Sequence, residues 1–360
     1  MDQGLIPFYK IIADYIKISF VPLAIIFSTI FVLLLFLIGA LGTYAERKIS
    51  ADIQKRLGPN RVGPFGLFQF IADALKMILK QNLMPKGVNS FLFFIAPLFA
   101  FLTITFSILV LPFSDTIFLI DFSMSAYFLV AISSLMGIGI FLGGYASGST
   151  WGLLGGVRGA CQMISYEVPL VISLFSITIL SGETSLQGIN HAQSGMPFYW
   201  FIFHNPFSFI SFFIFFICIM AETNRAPFDL PESESELVSG FHTEYSGMKY
   251  AFFAISEFSQ VFVVSLVASV LFLGGYNLPL NFFDGVLKNI LQLITLFLKT
   301  GTLYFFIIVF RWTLPRLKAD QLITLSWKYL TPIAIFCLVG STCWMVFFNG
   351  KSLWEVCLFF

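Results

Sequence analysis

Eight apolar stretches interrupt this chain at regular intervals, at about 20–44, 91–112, 124–146, 163–182, 206–222, 250–275, 289–310 and 329–348. The fifth is the shortest, and Pro197 to Phe201 offer to extend it. About 20 helical residues cross a hydrocarbon core of roughly 30 Å. Lipid supplies no partner for a backbone amide, so each run must close its own hydrogen bonds as a helix. Composition agrees: 58% of the 360 residues are hydrophobic and only 11% are charged, against about 25% in soluble domains. The expectation is an all-α polytopic membrane protein with eight transmembrane helices. They form a single integral domain over 1–360, with inside loops at 45–90, 147–162, 223–249 and 311–328.

Basic residues set a direction. Fifteen of the twenty lie in alternate connections: Arg47, Lys48, Lys55, Arg56, Arg61, Lys76, Lys80 and Lys86; Arg158; Arg225 and Lys249; Arg311, Arg316, Lys318 and Lys328. By the positive-inside rule those connections face the cytoplasm or matrix, and both termini face outside. The first one opens with RLGPNRVGPFG (Arg56 to Gly66), a turn punctuated by Gly and Pro. Beyond it Gln69, Asp73, Lys76 and Lys80 recur at helical spacing opposite Phe68, Ile71, Leu75, Ile78 and Leu79. That pattern predicts an amphipathic helix in the membrane interface or against a soluble partner, and both readings can hold together.

Several functions are excluded. A net charge of +1 gives no footprint for nucleic acid. Cys161, Cys218, Cys337, Cys343 and Cys357 form no C-x-x-C pair, and four of the five lie in apolar runs, as small hydrophobes do. His191, His204 and His242 are too scattered to build a histidine metal site, so no metal is expected. Neither a Walker loop nor a dinucleotide fingerprint occurs, so NADH and ATP are not expected to bind this chain. The N-terminal segment, with Asp2 and Asp14, resembles neither a secretory signal nor a transit peptide. Gly139/Gly143 and Gly144/Gly148 are G-x-x-x-G pairs suited to close helix packing.

Against this background the acids stand out. Glu222, Asp229, Glu232, Glu234, Glu236, Glu244 and Glu257 gather in or just beyond AETNRAPFDLPESESELVSGFHTEYSGMKY (Ala221 to Tyr250). Glu167, next to Tyr166, and Glu257 fall within apolar runs. A charge at mid-helix costs about 2.5–3.5 kcal/mol on insertion scales, so intramembrane acids point to function. Each alone is compatible with an acid near the headgroups, hydrated or paired with Arg158 or Lys249. Glu167, Glu222 and Glu257 on one side beside an acidic loop argue for more. FRWTLPRLKADQL (Phe310 to Leu322) ends the seventh run with basic residues, Asp320 and a helix-ending Pro315. By itself it is topogenic rather than a site.

Four segments together resemble one family. They are AERKISADIQKRLGPNRVGPFGLFQFIADALK (Ala45 to Lys76), VRGACQMISYEVPL (Val157 to Leu170), the acidic segment to Phe253, and RWTLPRLKADQL (Arg311 to Leu322). The family is the membrane quinone-site subunit (subunit 1) of proton-pumping NADH:quinone oxidoreductase, respiratory complex I. The resemblance implies that quinone is a bound substrate while FMN and iron–sulfur clusters belong to partner subunits. Partners would be the peripheral-arm quinone-site and terminal-cluster subunits and neighbouring small membrane subunits. It further implies that Arg47, Arg56, Asp73, Lys76, Phe241 and Tyr245 lie at the quinone chamber. Arg158, Tyr166, Arg225, Arg311, Arg316 and Asp320 would support the inner surface. Glu167, Glu222, Asp229, Glu232, Glu234, Glu236, Glu244 and Glu257 would form a proton path. Neighbouring buried carboxylates cannot all ionise, so their protons come off as a coupled set. The membrane implied is a bacterial cell inner membrane, from the Arg in GPNRVGP and the form FHTEYSGMKYAFF; the mitochondrial inner membrane is the alternative. The counterpart subunit of a membrane-bound hydrogenase shares this helical core, but the intact acidic loop and GPNRVGP favour the quinone enzyme. A stand-alone proton-coupled transporter would show inverted repeats with helices broken at the midplane, and the sequence has none.

Overall fold

A computed structural model describes residues 20–278, 285–348 and 352–355. The N-terminal segment, both termini and Cys357 lie outside the described residues, as does the side chain of Glu234. Within them the chain is helical. The long elements are α1 (Phe20–Ile53), α3 (Ser90–Val110), α4 (Ser125–Ala146), α5 (Thr150–Ser181), α7 (Pro206–Glu222), α8 (Gly247–Phe272), α9 (Val286–Thr313) and α10 (Ala319–Phe348). Shorter helices α2 (Gln69–Leu79) and α6 (Leu186–Ala192) lie in connections. Seven of the described helices are long and apolar enough to span a membrane, and α7 is a shorter apolar one. The chain is an all-α, multi-pass membrane protein.

α8 is the axis. It buries 83% of its most apolar window, against 22% for α1 and for α10, and it packs on α1, α3, α7 and α9. Around it α3 lies on α4, α4 on α5, and α5 on α7 and α10. Helix starts follow local chemistry: Asn89 caps α3, Ser149 accepts from the Gly152 amide to cap α5, and Asn205 with Pro206 opens α7. The expected extension at Pro197 to Phe201 is separate, because Phe201–His204 forms its own turn before Asn205 breaks the helix. α9 stops before Pro315, with Leu314 extended as a residue preceding proline prefers.

Five helices begin well before or end well after their apolar runs. One is α10, which starts at Ala319 inside the expected inside loop 311–328, so that only residues 314–318 connect it to α9. α1 continues to Ile53, so Arg47 and Lys48 sit on helix; α8 starts at Gly247, so Lys249 does too; and α9 carries Arg311. The largest difference is at 147–162, expected as a loop, where only residues 147–149 interrupt the helices. Hydropathy missed the first turns of α5 because they are rich in glycine, and the glycines serve packing. A Cβ on Gly144 would lie 2.4 Å from the Gly152 carbonyl oxygen and 2.9 Å from the Gly156 Cα. Of the G-x-x-x-G positions, Gly139, Gly143 and Gly144 permit close helix contacts, while Gly148 turns the chain at φ +66°. Cys218 and Cys337 are buried as expected, but Cys161 and Cys343 are exposed on this chain.

Candidate functional site

The acidic segment is folded against the bundle by clamps that neutralise its backbone first. Gln162, buried on α5, donates through Nε2 to the carbonyls of Ala221 and Phe228, each at 2.7 Å, and lies 3.2 Å from Asn224 Oδ1. Tyr166 donates to the Leu322 carbonyl at 3.0 Å, and Ser326 Oγ to the Ser165 carbonyl, which pins α10 to α5. Gly240 takes φ +52° where a Cβ would stand 1.6 Å from the Pro231 oxygen, so the loop crosses itself there.

Three groups of charge result. The deepest follows the helices. Glu167, four residues into the apolar run at 163–182, lies near the middle of α5, because α5 starts at Thr150. Glu167 and Glu222, the last residue of α7, line one small cavity with Ser133, Ser134, Met163, Tyr166 and Leu170. A second cavity of about 30 Å³ reaches from Glu222 to Ser107, Ser133 and Gln260, room for water at the polar end. Gln260 Nε2 donates to Glu222 Oε1 at 3.2 Å. One turn back along α8 is Glu257, whose Oε1 is 3.1 Å from His242 Nε2; the same nitrogen is 3.1 Å from Glu232 Oε1. A line of polar side chains therefore runs from Glu167 through Glu222, Gln260, Glu257 and His242 to Glu232.

His242 is buried under aromatic rings, with Phe241 at 3.8 Å, Phe253 at 5.2 Å and Tyr250 at 5.4 Å between centroids. Burial opposes its charged form, but hydrogen bonds to Glu232 and Glu257 override this and lift its pKa to about 9. Burial likewise pushes Glu232 up, yet the His242 hydrogen bond and charge hold it well below the usual carboxylate range. The three ligand atoms of Glu232, His242 and Glu257 lie within 4.8 Å of one another. Sequence reasoning dismissed His242 as scattered. Its signal was its position inside the acidic segment, ten residues from Glu232 and fifteen from Glu257.

The second group consists of ion pairs that brace the segment. Glu46 on α1 accepts from Arg225 at 3.4 Å and from Arg311 on α9. Glu46 is only 8% exposed and escaped sequence reasoning, because its partners stand 179 and 265 residues away. Arg225 also lies 4.4 Å over the Phe258 ring. Asp229 pairs with Arg316 at 2.7 Å and Glu236 with Arg158 at 2.5 Å. Burial and the neighbouring Glu232 raise Asp229 to about 6 against the pull of Arg316. Glu244 and Asp320 join neither group.

The third group belongs to the first connection. Arg47 pairs with Asp73 of α2 at 2.6 Å, and Gln69 also reaches Asp73 at 3.3 Å. Arg56 and Lys76 are exposed. α2 buries none of its residues, and Ile71, Leu75, Ile78 and Leu79 are 44–82% exposed along one side. Phe241 and Tyr245 are elsewhere. Phe241 is wholly buried, and Tyr245 stacks on Phe93 at 4.1 Å inside a core cluster with Phe253.

The family model described as NADH dehydrogenase matches residues 25–342. A protein of Chlorobaculum parvum, named as the H-type subunit of NADH-quinone oxidoreductase, is 39% identical over 341 residues, covering 92% of this chain and 95% of that protein. A Bacillus mycoides protein of the same name is 44% identical over 316 residues, 86% of this chain and 91% of its own length. One from Anaeromyxobacter dehalogenans is 38% identical over 324 residues, 86% and 78% respectively. With matches this long, the chain belongs to the NADH dehydrogenase family, among the H-type subunits of NADH-quinone oxidoreductases.

Proposed function

We propose that this chain is the membrane subunit of a proton-translocating NADH:quinone oxidoreductase that contributes to the quinone chamber and couples quinone reduction to proton movement. The observation that carries the reading is the line Glu167–Glu222–Gln260–Glu257–His242–Glu232, which links the middle of the bundle to a surface loop. Charge arriving near its loop end changes which carboxylate holds a proton, and the His242 ring stands between two of them. Gln260 orients Glu222, and the cavities beside Glu222 admit the water that completes the link.

The ion pairs hold this line in register. Glu46, Arg225 and Arg311 tie α1, the segment and α9 together, while Asp229–Arg316 and Glu236–Arg158 anchor its outer edge. Arg47, Asp73, Arg56 and Lys76 of the first connection face the quinone head and its entry path, and α2 lies in the interface with its bare apolar side. The chain supplies binding, orientation and proton-holding groups. Flavin and iron–sulfur clusters sit in peripheral-arm subunits that dock on the basic connections, with small membrane subunits alongside. Those connections face the cytoplasm of a bacterial inner membrane, and the termini face outside.

Affinity purification of the chain from its native membrane tests this reading. Co-purification of flavin- and iron–sulfur-bearing subunits with NADH:quinone activity supports it. Recovery of the chain alone, or with a hydrogenase large subunit, contradicts it.

A further inference from the structure

We propose that Glu232, His242 and Glu257 form a binding site for a divalent transition-metal ion such as zinc. One imidazole nitrogen and two carboxylate oxygens, all within 4.8 Å of one another, converge from the acidic loop and α8. The nitrogen is 3.1 Å from each oxygen. Tetrahedral zinc with bonds of about 2.0–2.1 Å separates its ligand atoms by roughly 3.3–3.4 Å. The His242 edges of the site are therefore within a few tenths of an ångström of the coordinated geometry. Rotation of the two glutamate side chains closes the third edge.

The surroundings suit such an ion. The ligand side chains are 7%, 11% and 27% exposed for His242, Glu257 and Glu232, so Glu232 marks the open side where a water completes the shell. Phe241 and Phe253 wall the imidazole and offer no ligand atom, and the Tyr250 ring stands edge-on to it. Two carboxylates balance a divalent charge, and a nitrogen with two oxygens selects zinc-like ions over calcium or magnesium. His242 Nδ1 has no partner among the described residues. Without an acceptor there to raise ligand basicity, the site is one of moderate affinity. Binding needs only these three side chains and does not rest on the proposed proton path. If that path operates, an ion here sits across it and slows quinone reduction.

The test uses purified complex, wild type and His242→Gln, equilibrated with zinc chloride, desalted and analysed for zinc per complex by mass spectrometry. One fewer zinc retained in the variant, with at least a tenfold rise in the half-saturating concentration, is the expected result. Zinc-edge X-ray absorption of the wild-type site is expected to show nitrogen and oxygen ligands with imidazole scattering. Equal retention in the two forms overturns the site. Should His242→Gln fail to assemble, hydrogen exchange of wild-type peptides spanning 236–250 decides. Slower exchange with zinc supports the site, and unchanged exchange overturns it. These readouts report metal binding, so they stand or fall independently of quinone activity. Loss of zinc inhibition in the variant would then report on the path separately.

Discussion

Replacing Gln162 with methionine isolates what holds the acidic segment in place. The thioether fills similar volume but donates nothing, so the Phe228 carbonyl loses the donor Gln162 provides, and the Ala221 carbonyl keeps only backbone amides, those of Thr223 and Asn224. An orphaned buried acceptor costs about 1–3 kcal/mol and a weakened hydrogen bond about 1 kcal/mol. Part is offset, because Gln162 Oε1 has no partner among the described residues and its removal relieves that burial. The net is about 2 kcal/mol, or roughly a 30-fold rise in local opening. Hydrogen exchange of peptides spanning 221–230 in assembled complex reads this directly, with peptides of α9 as the internal reference. Protection at 221–230 within threefold of wild type would refute the view that Gln162 clamps the segment.

Other outcomes follow from the same contacts. Glu46→Ala leaves Arg225, 6% exposed, and Arg311 without their shared carboxylate. Stranding buried charge costs about 3–5 kcal/mol, so the yield and thermal midpoint of assembled complex should fall. Asp229, facing Glu232, Arg225 and Arg316, is raised in the fold from 3.8 to about 6. The protonated form is favoured by folding, so its contribution is fully present below about pH 4, is lost as pH rises to about 6, and is flat above. The span is at most about 3 kcal/mol. Exchange at 223–249, corrected for intrinsic rates, should lose protection over that window, and Asp229→Asn should remove the dependence. Gly240→Ala should abolish assembly, since its Cβ meets the Pro231 oxygen. Gly182→Ala, at φ +69° with nothing within 4 Å, should cost only about 1 kcal/mol of backbone strain and assemble normally.

The spans were legible because lipid forces one solution on an apolar run, and α7 begins and ends where its run does. The start of α5 was not legible, because glycine lowers hydropathy and helix propensity while here it permits α4 and α5 to touch through Gly144, Gly152 and Gly156. The acids were found by type and crowding. Their division into a buried line and peripheral ion pairs was hidden, because it depends on partners far away in sequence: Glu46 with Arg311, Asp229 with Arg316, Glu236 with Arg158. Neutral members such as Gln162 and Gln260 carry no sequence signal at all. The packing of Phe241 under His242 and of Tyr245 against Phe93 was likewise not legible, because those partners are set by the fold.

The central claim is that Glu222 passes protons during quinone reduction. Complex bearing Glu222→Gln, reconstituted into proteoliposomes, tests it most directly. NADH oxidation by an artificial acceptor should be unchanged, while quinone reduction and the accompanying proton uptake should both fall at least tenfold. Quinone reduction and proton translocation at wild-type rates would contradict the account and remove Glu222 from the path.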